Sequence, residues 1–149
     1  MSKIKTNLIQ AQESLFSLLK EITDKSDEEI RNLSIKFLDQ VQKKLSNKSD
    51  ETLILESIKE VTHNQPIYIN GISFISLCEH HMMPFHGSVS IAVFPKKKIL
   101  GISKFSDLVG HFSNDLTLQE KLTEKIASFI HKTLAVSYTH LRAHETIPD

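Results

Sequence analysis

Ser76-Leu-Cys-Glu-His-His-Met-Met-Pro-Phe85 decides the reading of this chain. Cys78, the only cysteine, stands three residues before His81, and His80 lies between them. Thiolate and imidazole are preferred zinc ligands, and a catalytic zinc keeps three protein ligands plus one open position. Cys78 and His81 are therefore candidate metal ligands that supply two of the three. His80 carries an imidazole, the side chain most used for proton transfer, and is a candidate proton-handling neighbour. As an isolated pair, Cys-x-x-His reads instead as a buried thiol beside surface histidines.

Working outward, Ile67, Tyr68, Ile69, Ile72, Phe74 and Ile75 are β-branched or aromatic and predict a strand after Pro66. Asn70-Gly71 inside it admits either a hairpin turn or a bulge. Downstream, Val89, Ile91 and Val93 alternate with Ser88, Ser90 and Ala92, the pattern of a half-buried strand ending at Pro95. Lys96 to Lys98 read as a turn, and Ile99 to Ile102 as resumed strand. Phe105, Leu108, Val109 and Phe112 mark a helix; Leu118, Leu122, Ile126, Ile130 and Leu134 mark another.

Upstream the period changes to that of helices. Leu8, Ala11, Leu15, Leu18, Leu19 and Ile22 form an apolar stripe over residues 4–23. Ser26-Asp-Glu-Glu29 reads as a capping box opening a second helix, whose stripe is Ile30, Leu33, Phe37, Val41 and Leu45. After the polar break at residues 46–50, Leu53, Ile54, Ile58 and Val61 predict a short third helix. The stripes pack on one another or on a neighbouring subunit; a coiled-coil partner site is disfavoured because no heptad is sustained.

The chain has 149 residues, 40% of them hydrophobic, which is one ordinary domain with enough apolar surface for a core. Eighteen Lys+Arg balance eighteen Asp+Glu, so no global field selects nucleic acid or an anionic membrane, and any phosphate binding must be local. A single cysteine cannot form an internal disulfide. With neither a signal-peptide pattern at the N-terminus nor a run of about 20 apolar residues, a cytoplasmic location is expected.

The quoted stretch resembles the signature of the GTP cyclohydrolase I family, in which a strand runs into Ser-Leu-Cys-Glu-His-His, then Pro-Phe and Gly, then a second strand. Here those elements are Ser76 to His81, Pro84, Phe85 and Gly87. Gly101-Ile-Ser-Lys104 is similar to the family's Gly-Leu-Ser-Lys phosphate element, and Leu118-Gln-Glu-Lys-Leu-Thr123 to its Val-Gln-Glu-Arg-Leu-Thr element. The resemblance covers residues 65–135. It implies an α+β chain: N-terminal helices (1–64), then a partial tunnelling fold of antiparallel strands and two helices (65–135), then an anomalous tail (136–149). In the family two further strands follow the second helix, and the first carries a Glu-Ala-x-His-x-Cys segment with the third zinc ligand. The segment from Ala135 to Asp149 contains no thiol, is not expected to alternate like a strand, and reads as foreign sequence joined to the domain; both last strands are expected to be missing.

The resemblance implies a zinc enzyme acting on GTP, in a homo-oligomer with sites at subunit boundaries. Zn²⁺ is the expected cofactor. Cys78 and His81 would hold it, and His80 would protonate the guanine ring whose C8 is attacked by water; formate leaves and dihydroneopterin triphosphate forms. Ser103 and Lys104 would hold triphosphate oxygens. Where the family has a phosphate-binding arginine three residues after that lysine, this chain has Asp107. Glu120 would accept guanine's N1 and N2 donors, with Gln119 fixing the base; its competing role is the last residue of a capping box, Thr117-Leu-Gln-Glu120. His140 and His144 stand four apart, but Leu141 occupies the place where a zinc-protease pattern needs Glu, so a polar tail is the favoured reading. Two alternatives stay open: a non-catalytic chain of the same fold that acts in assembly, and a helical interaction module with an incidental thiol.

Overall fold

The structure, a computed structural model, describes residues 3–48, 50–62, 65–134 and 138–146. The chain divides into two compact units, Met1–Ser46 and Asn47–Asp149.

In the first unit α1 (Lys3–Ile22) and α2 (Asp27–Ser46) pack as a helical hairpin. The capping box forms: Ser26 N–H donates to Glu29 Oε2 at 3.1 Å, and Glu29 N–H reaches back to Ser26 Oγ at 3.4 Å. The Ser26 hydroxyl, the Ser26 N–H and the nearby Lys25 charge hold the Glu29 carboxyl below its ordinary range. Arg31 joins the helices, pairing with Glu13 at 3.1 Å and lying over the Phe16 ring at 4.6 Å. The buried positions of α2 are Ile30 and Ser34, whereas Leu33 and Phe37, expected on the buried stripe, are exposed. Ser34, small and able to back-bond to the Ile30 carbonyl at 2.9 Å, takes a buried place beside Ile30, and Val41 and Leu45 of the expected stripe are half-buried.

The second unit opens with α3 (Glu51–Leu55), capped by Asp50, whose side chain accepts from Thr52 N–H at 2.9 Å. The third helix is shorter than predicted. Ile58, assigned to it from its period, begins β1 (Ile58–Glu60), antiparallel to β4 (Lys98–Leu100) in a separate two-stranded sheet. β-Branched Ile58 paired with Leu100 fits a pleat better than a helix end.

The main sheet has the order β5-β2-β3-β6, with β2 Ile67–Cys78, β3 Pro84–Phe94, β5 Leu116–Thr117 and β6 Tyr138–Thr146. Asn70-Gly71 is a bulge inside one strand, with Gly71 at φ 73° and a register shift between Ile69 and Ile72. That extra residue switches the parity of β2. Odd-numbered Ile67 and Ile69 before it and even-numbered Ile72, Phe74 and Ser76 after it turn to the same apolar core. β3 adds Phe85, Val89, Ile91 and Val93, and Phe85 meets Phe74 edge-on at 5.8 Å.

Helices α4 (Ile102–Ser113) and α5 (Gln119–Leu134) add Phe105, Leu108, Val109, Leu122, Ile126, Ile130 and Leu134 to that core, all buried, beside Ile54, Ile99, Leu100 and Ala143. Each such Leu or Ile contributes about 1.5–3 kcal/mol of burial.

The tail departs from its expectation. Residues 138–146 form a strand antiparallel to β3 along nearly its whole length, from Phe94↔Tyr138 to His86↔Thr146. An uncovered β3 edge would present a row of unpaired backbone groups, and any extended neighbour that pairs with it satisfies them. Alternate Leu141 and Ala143, half-buried and buried, were the apolar signal. The tail thus adds a strand that was not expected, within the α+β class anticipated from sequence.

Candidate metal and nucleotide site

The Cys-Glu-His-His stretch is the turn of the β2–β3 hairpin. Cys78 N–H donates to Met83 O at 2.9 Å, and Met82 N–H donates to Cys78 O at 2.8 Å, so Glu79–Met82 form a closed four-residue connection. Met82 takes the left-handed conformation, φ 57°, that such a connection requires at its last position. Pro84 lacks an N–H and begins β3, where none is needed. Cys78, His80 and His81 are consequently held within one tight turn. Cys78 is half-buried; the two histidines are exposed.

The donor set fits zinc in part. A thiolate and an imidazole at one turn suit the ion, yet among the described residues no group of three His, Cys, Asp or Glu side chains is placed to hold a metal. His81 Nδ1 accepts Met83 N–H at 3.3 Å. A ring nitrogen that accepts is unprotonated, so the neutral ring carries its proton on Nε2. Ligation by His81 therefore requires Nδ1 to exchange Met83 N–H for the metal, or the ring to turn so that Nδ1–H donates, as metal-bound imidazoles do. The side chains of His140 and His144 lie outside the described residues.

The turn is joined to the start of α5. Leu77 and Cys78 pair in parallel with Leu116 and Thr117, and Glu79 N–H donates to Thr117 O at 3.3 Å. Ser76 Oγ donates to Asp115 O at 3.1 Å. Glu79 Oε1 lies 2.6 Å from Lys121 Nζ. β5, the short strand making these links, had no sequence signal: two residues are too few for a period. Thr117 is fully buried in β5, and its hydroxyl donates to Leu118 O at 3.3 Å instead of capping α5. Among the described residues nothing joins Thr117 to Glu120, so the capping-box role assigned as Glu120's competitor is not taken up. Glu120 is exposed in the first turn of α5, where the helix dipole favours its charge.

An open cleft of about 600 Å³ has Gln119 and Glu120 among its lining residues, with Leu141 and Ala143 of β6. Gln119 Nε2 donates to Ala143 O at 2.7 Å, which commits one of its amide donors to the strand.

Ser103 and Lys104 stand elsewhere. They occupy the first turn of α4, Ser103 exposed and Lys104 partly so, whereas the opposite end of α4 leads through Asn114 to Asp115 beneath Ser76. Nine residues of helix, roughly 14 Å at 1.5 Å per residue, separate Lys104 from that end. Lys104 Nζ is paired with Asp107 Oδ2 at 2.7 Å. The structure thus brings Cys78, His80 and His81 to the helix carrying Gln119 and Glu120, and sets Ser103 and Lys104 at the opposite end of α4 from Asp115.

A sequence profile described as GTP cyclohydrolase I matches residues 11–143. The chain belongs to the GTP cyclohydrolase I family. The match extends well beyond residues 65–135, taking in most of α1, all of α2 and part of β6. Among curated proteins, the chain is 33% identical over 142 residues to GTP cyclohydrolase 1 of Parabacteroides distasonis, covering 90% of this chain and 72% of that protein. It is 44% identical over 81 residues to GTP cyclohydrolase 1 of Campylobacter lari, spanning 54% of this chain and 43% of the relative. The corresponding protein of Aquifex aeolicus is 47% identical over 72 residues, 39% of its length. No helix among the described residues is long and apolar enough to cross a membrane.

Proposed function

We propose that this chain carries the metal and base half-sites of a zinc-dependent GTP cyclohydrolase I, which hydrolytically opens the guanine ring of GTP to release formate and yield 7,8-dihydroneopterin triphosphate, the entry to pterin and tetrahydrofolate synthesis. The observation that carries the reading is the closed turn presenting Cys78, His80 and His81 against the helix whose first turn bears an exposed Glu120.

Cys78 and His81 would hold zinc. The metal supplies Lewis acidity that makes water nucleophilic near neutral pH. Glu120, with two acceptor oxygens, takes the N1 and N2 donors of guanine and rejects adenine, which offers an acceptor at N1. His80, exposed at the turn, delivers a proton to the ring nitrogen next to the carbon under attack, which makes that carbon more electrophilic. Ser103 and Lys104 bind triphosphate oxygens by hydroxyl and ammonium contacts. Lys104 stands at the end of α4 opposite Asp115, which meets Ser76, and two copies contributing opposite ends of the domain would bring both halves into one site. A cytoplasmic homo-oligomer with boundary sites is the corresponding assembly.

Two ligands do not complete a catalytic zinc shell, and the chain has no second thiol. Formate release from GTP tests the proposal. The purified chain with zinc should release none, and replacing residues after Ala135 by the family's Glu-Ala-x-His-x-Cys strand should start release that His80→Ala abolishes. A repaired chain that binds zinc and GTP yet leaves the ring closed would sink the assignment. The Lys104–Asp107 ion pair favours a second reading, a non-catalytic chain of this fold; failure of both chains to bind any guanine nucleotide would support it.

A further inference from the structure

We propose that Lys121 is a positioning residue that fixes the turn carrying Cys78, His80 and His81 to the helix carrying Gln119 and Glu120. The inference rests on reading those five residues as metal and base half-sites. Lys121 Nζ lies 2.6 Å from Glu79 Oε1, and Glu79 sits in sequence between the thiol and the two imidazoles. The Glu79 side chain is only 27% exposed, so its carboxylate is better shielded from water than in an ordinary surface pair.

Two other links join the turn to the same short stretch: Glu79 N–H to Thr117 O, and the pairing of Leu77 and Cys78 with Leu116 and Thr117. Both are backbone bonds that end at β5 and leave the turn able to pivot about the strand. The ion pair reaches past the strand to the helix itself and removes that freedom. Helix stability gives no reason for a cation here. Lys121 is the third residue of α5, where the macrodipole disfavours positive charge, and Glu79 is the group that offsets this.

Cys78 is the only cysteine, so the rate at which a metal-free chain reacts with the aromatic disulfide DTNB reports on this turn alone. Lys121→Met should raise that rate about threefold, within the range for a partly exposed ion pair. Electrostatics alone acts the other way, since losing a nearby cation disfavours thiolates and slows the reaction. Lys121→Arg should react as the unaltered chain does. Glu79→Lys combined with Lys121→Glu should react more slowly than Glu79→Lys by itself. Lys132→Met, at the far end of the same helix, should change nothing. An unchanged or slower thiol in Lys121→Met, or equal acceleration by Lys132→Met, overturns the proposal. Should Lys121→Met not fold, a charge swap that reacts as fast as Glu79→Lys alone overturns it equally. These rates need neither zinc nor GTP, so a chain that bound neither would refute the functional reading while the thiol rates still decided this one.

Discussion

Lys104 Nζ lies 2.7 Å from Asp107 Oδ2, one helical turn further along α4. The side chains are 31% and 44% exposed, which makes the pair accessible to an arriving anion but already neutral as a unit. The lysine that would meet a triphosphate therefore meets a carboxylate first. A phosphate displacing Asp107 would leave that carboxylate beside its own charge, where like charges repel.

Asp107→Arg should therefore tighten GTP, by about tenfold, because it removes a repelling charge and adds a bidentate donor. Titration calorimetry with GTP and with inorganic triphosphate measures it. Unchanged affinity for both would place Asp107 away from the bound phosphates.

Lys104→Ala and Glu120→Ala should separate the two ends of the nucleotide. Losing Lys104 should weaken GTP by about 1.5–3 kcal/mol, the value of a hydrogen bond to a charged group, and leave guanosine nearly unaffected. Losing Glu120 should weaken both ligands alike. Equal losses of GTP and guanosine in both variants would remove the assignment of ends.

Much of this arrangement was legible in sequence because it rests on periods and turn chemistry. The alternation around Val89, Ile91 and Val93, the stripe from Leu122 to Leu134 and the Ser26–Glu29 box each correspond to a structural feature that one short window specifies. What escaped depends on partners distant in sequence. β5 exists because Leu116 and Thr117 lie beside Leu77 and Cys78, nearly forty residues away, and β6 because β3 had an edge to cover. Ile58 carries an apolar period that suits helix and strand alike until Leu100 arrives opposite. Within the candidate site, residue identities were readable from the motif, but the links that join them were not. Neither the Glu79–Lys121 pair nor the Lys104–Asp107 pair follows from composition, and Glu120's freedom from its cap depends on Thr117 being drawn into a strand.

Gly71 offers a test of the bulge by itself. Its φ of 73° is costly for a residue with a Cβ, and a Cβ built there meets nothing within 4 Å, so Gly71→Ala isolates backbone strain from crowding. Urea unfolding should show a loss of about 1–2 kcal/mol. A neutral or stabilising substitution would mean that the bulge relaxes without cost.

Asp115 should give stability a pH dependence of known sign. Burial works against its charge but is outweighed by the Lys48 hydrogen bond, the Leu116 N–H and the charges of Lys48 and Lys125, which hold the carboxyl below its ordinary range. A depressed folded pKa adds stability that is present above the unfolded value, near 3.9, and is lost as pH falls through the folded one. Asp115→Asn should cost at most about 1 kcal/mol at neutral pH, given the partial exposure of the site. The two chains should converge as the pH falls below about 4. A difference in urea midpoint that stayed constant between neutral and acid conditions would assign the effect to packing.

Zinc should bind this chain loosely. Cys78 and His81 offer one thiolate and one imidazole, and the imidazole must first give up the Met83 N–H bond at Nδ1 or turn over. Dialysis against a mild chelator should strip the metal. Cobalt, used as a spectroscopic substitute, should show a thiolate charge-transfer band that Cys78→Ser removes, that His81→Ala weakens and that His80→Ala leaves in place, since His80 is assigned to proton transfer and not to the metal. Supplying the family's third ligand, a second thiol, after Ala135 should tighten binding by at least about tenfold, the lower bound of what even outer-shell partners contribute. Stoichiometric zinc that survives the chelator in the unrepaired chain would overturn this and point to a third donor, with His140, His144 or a second copy of the chain as its source. Dilution would then separate a donor within the chain from one contributed by a neighbour, because the former holds the metal at every protein concentration whereas the latter is lost as the copies dissociate.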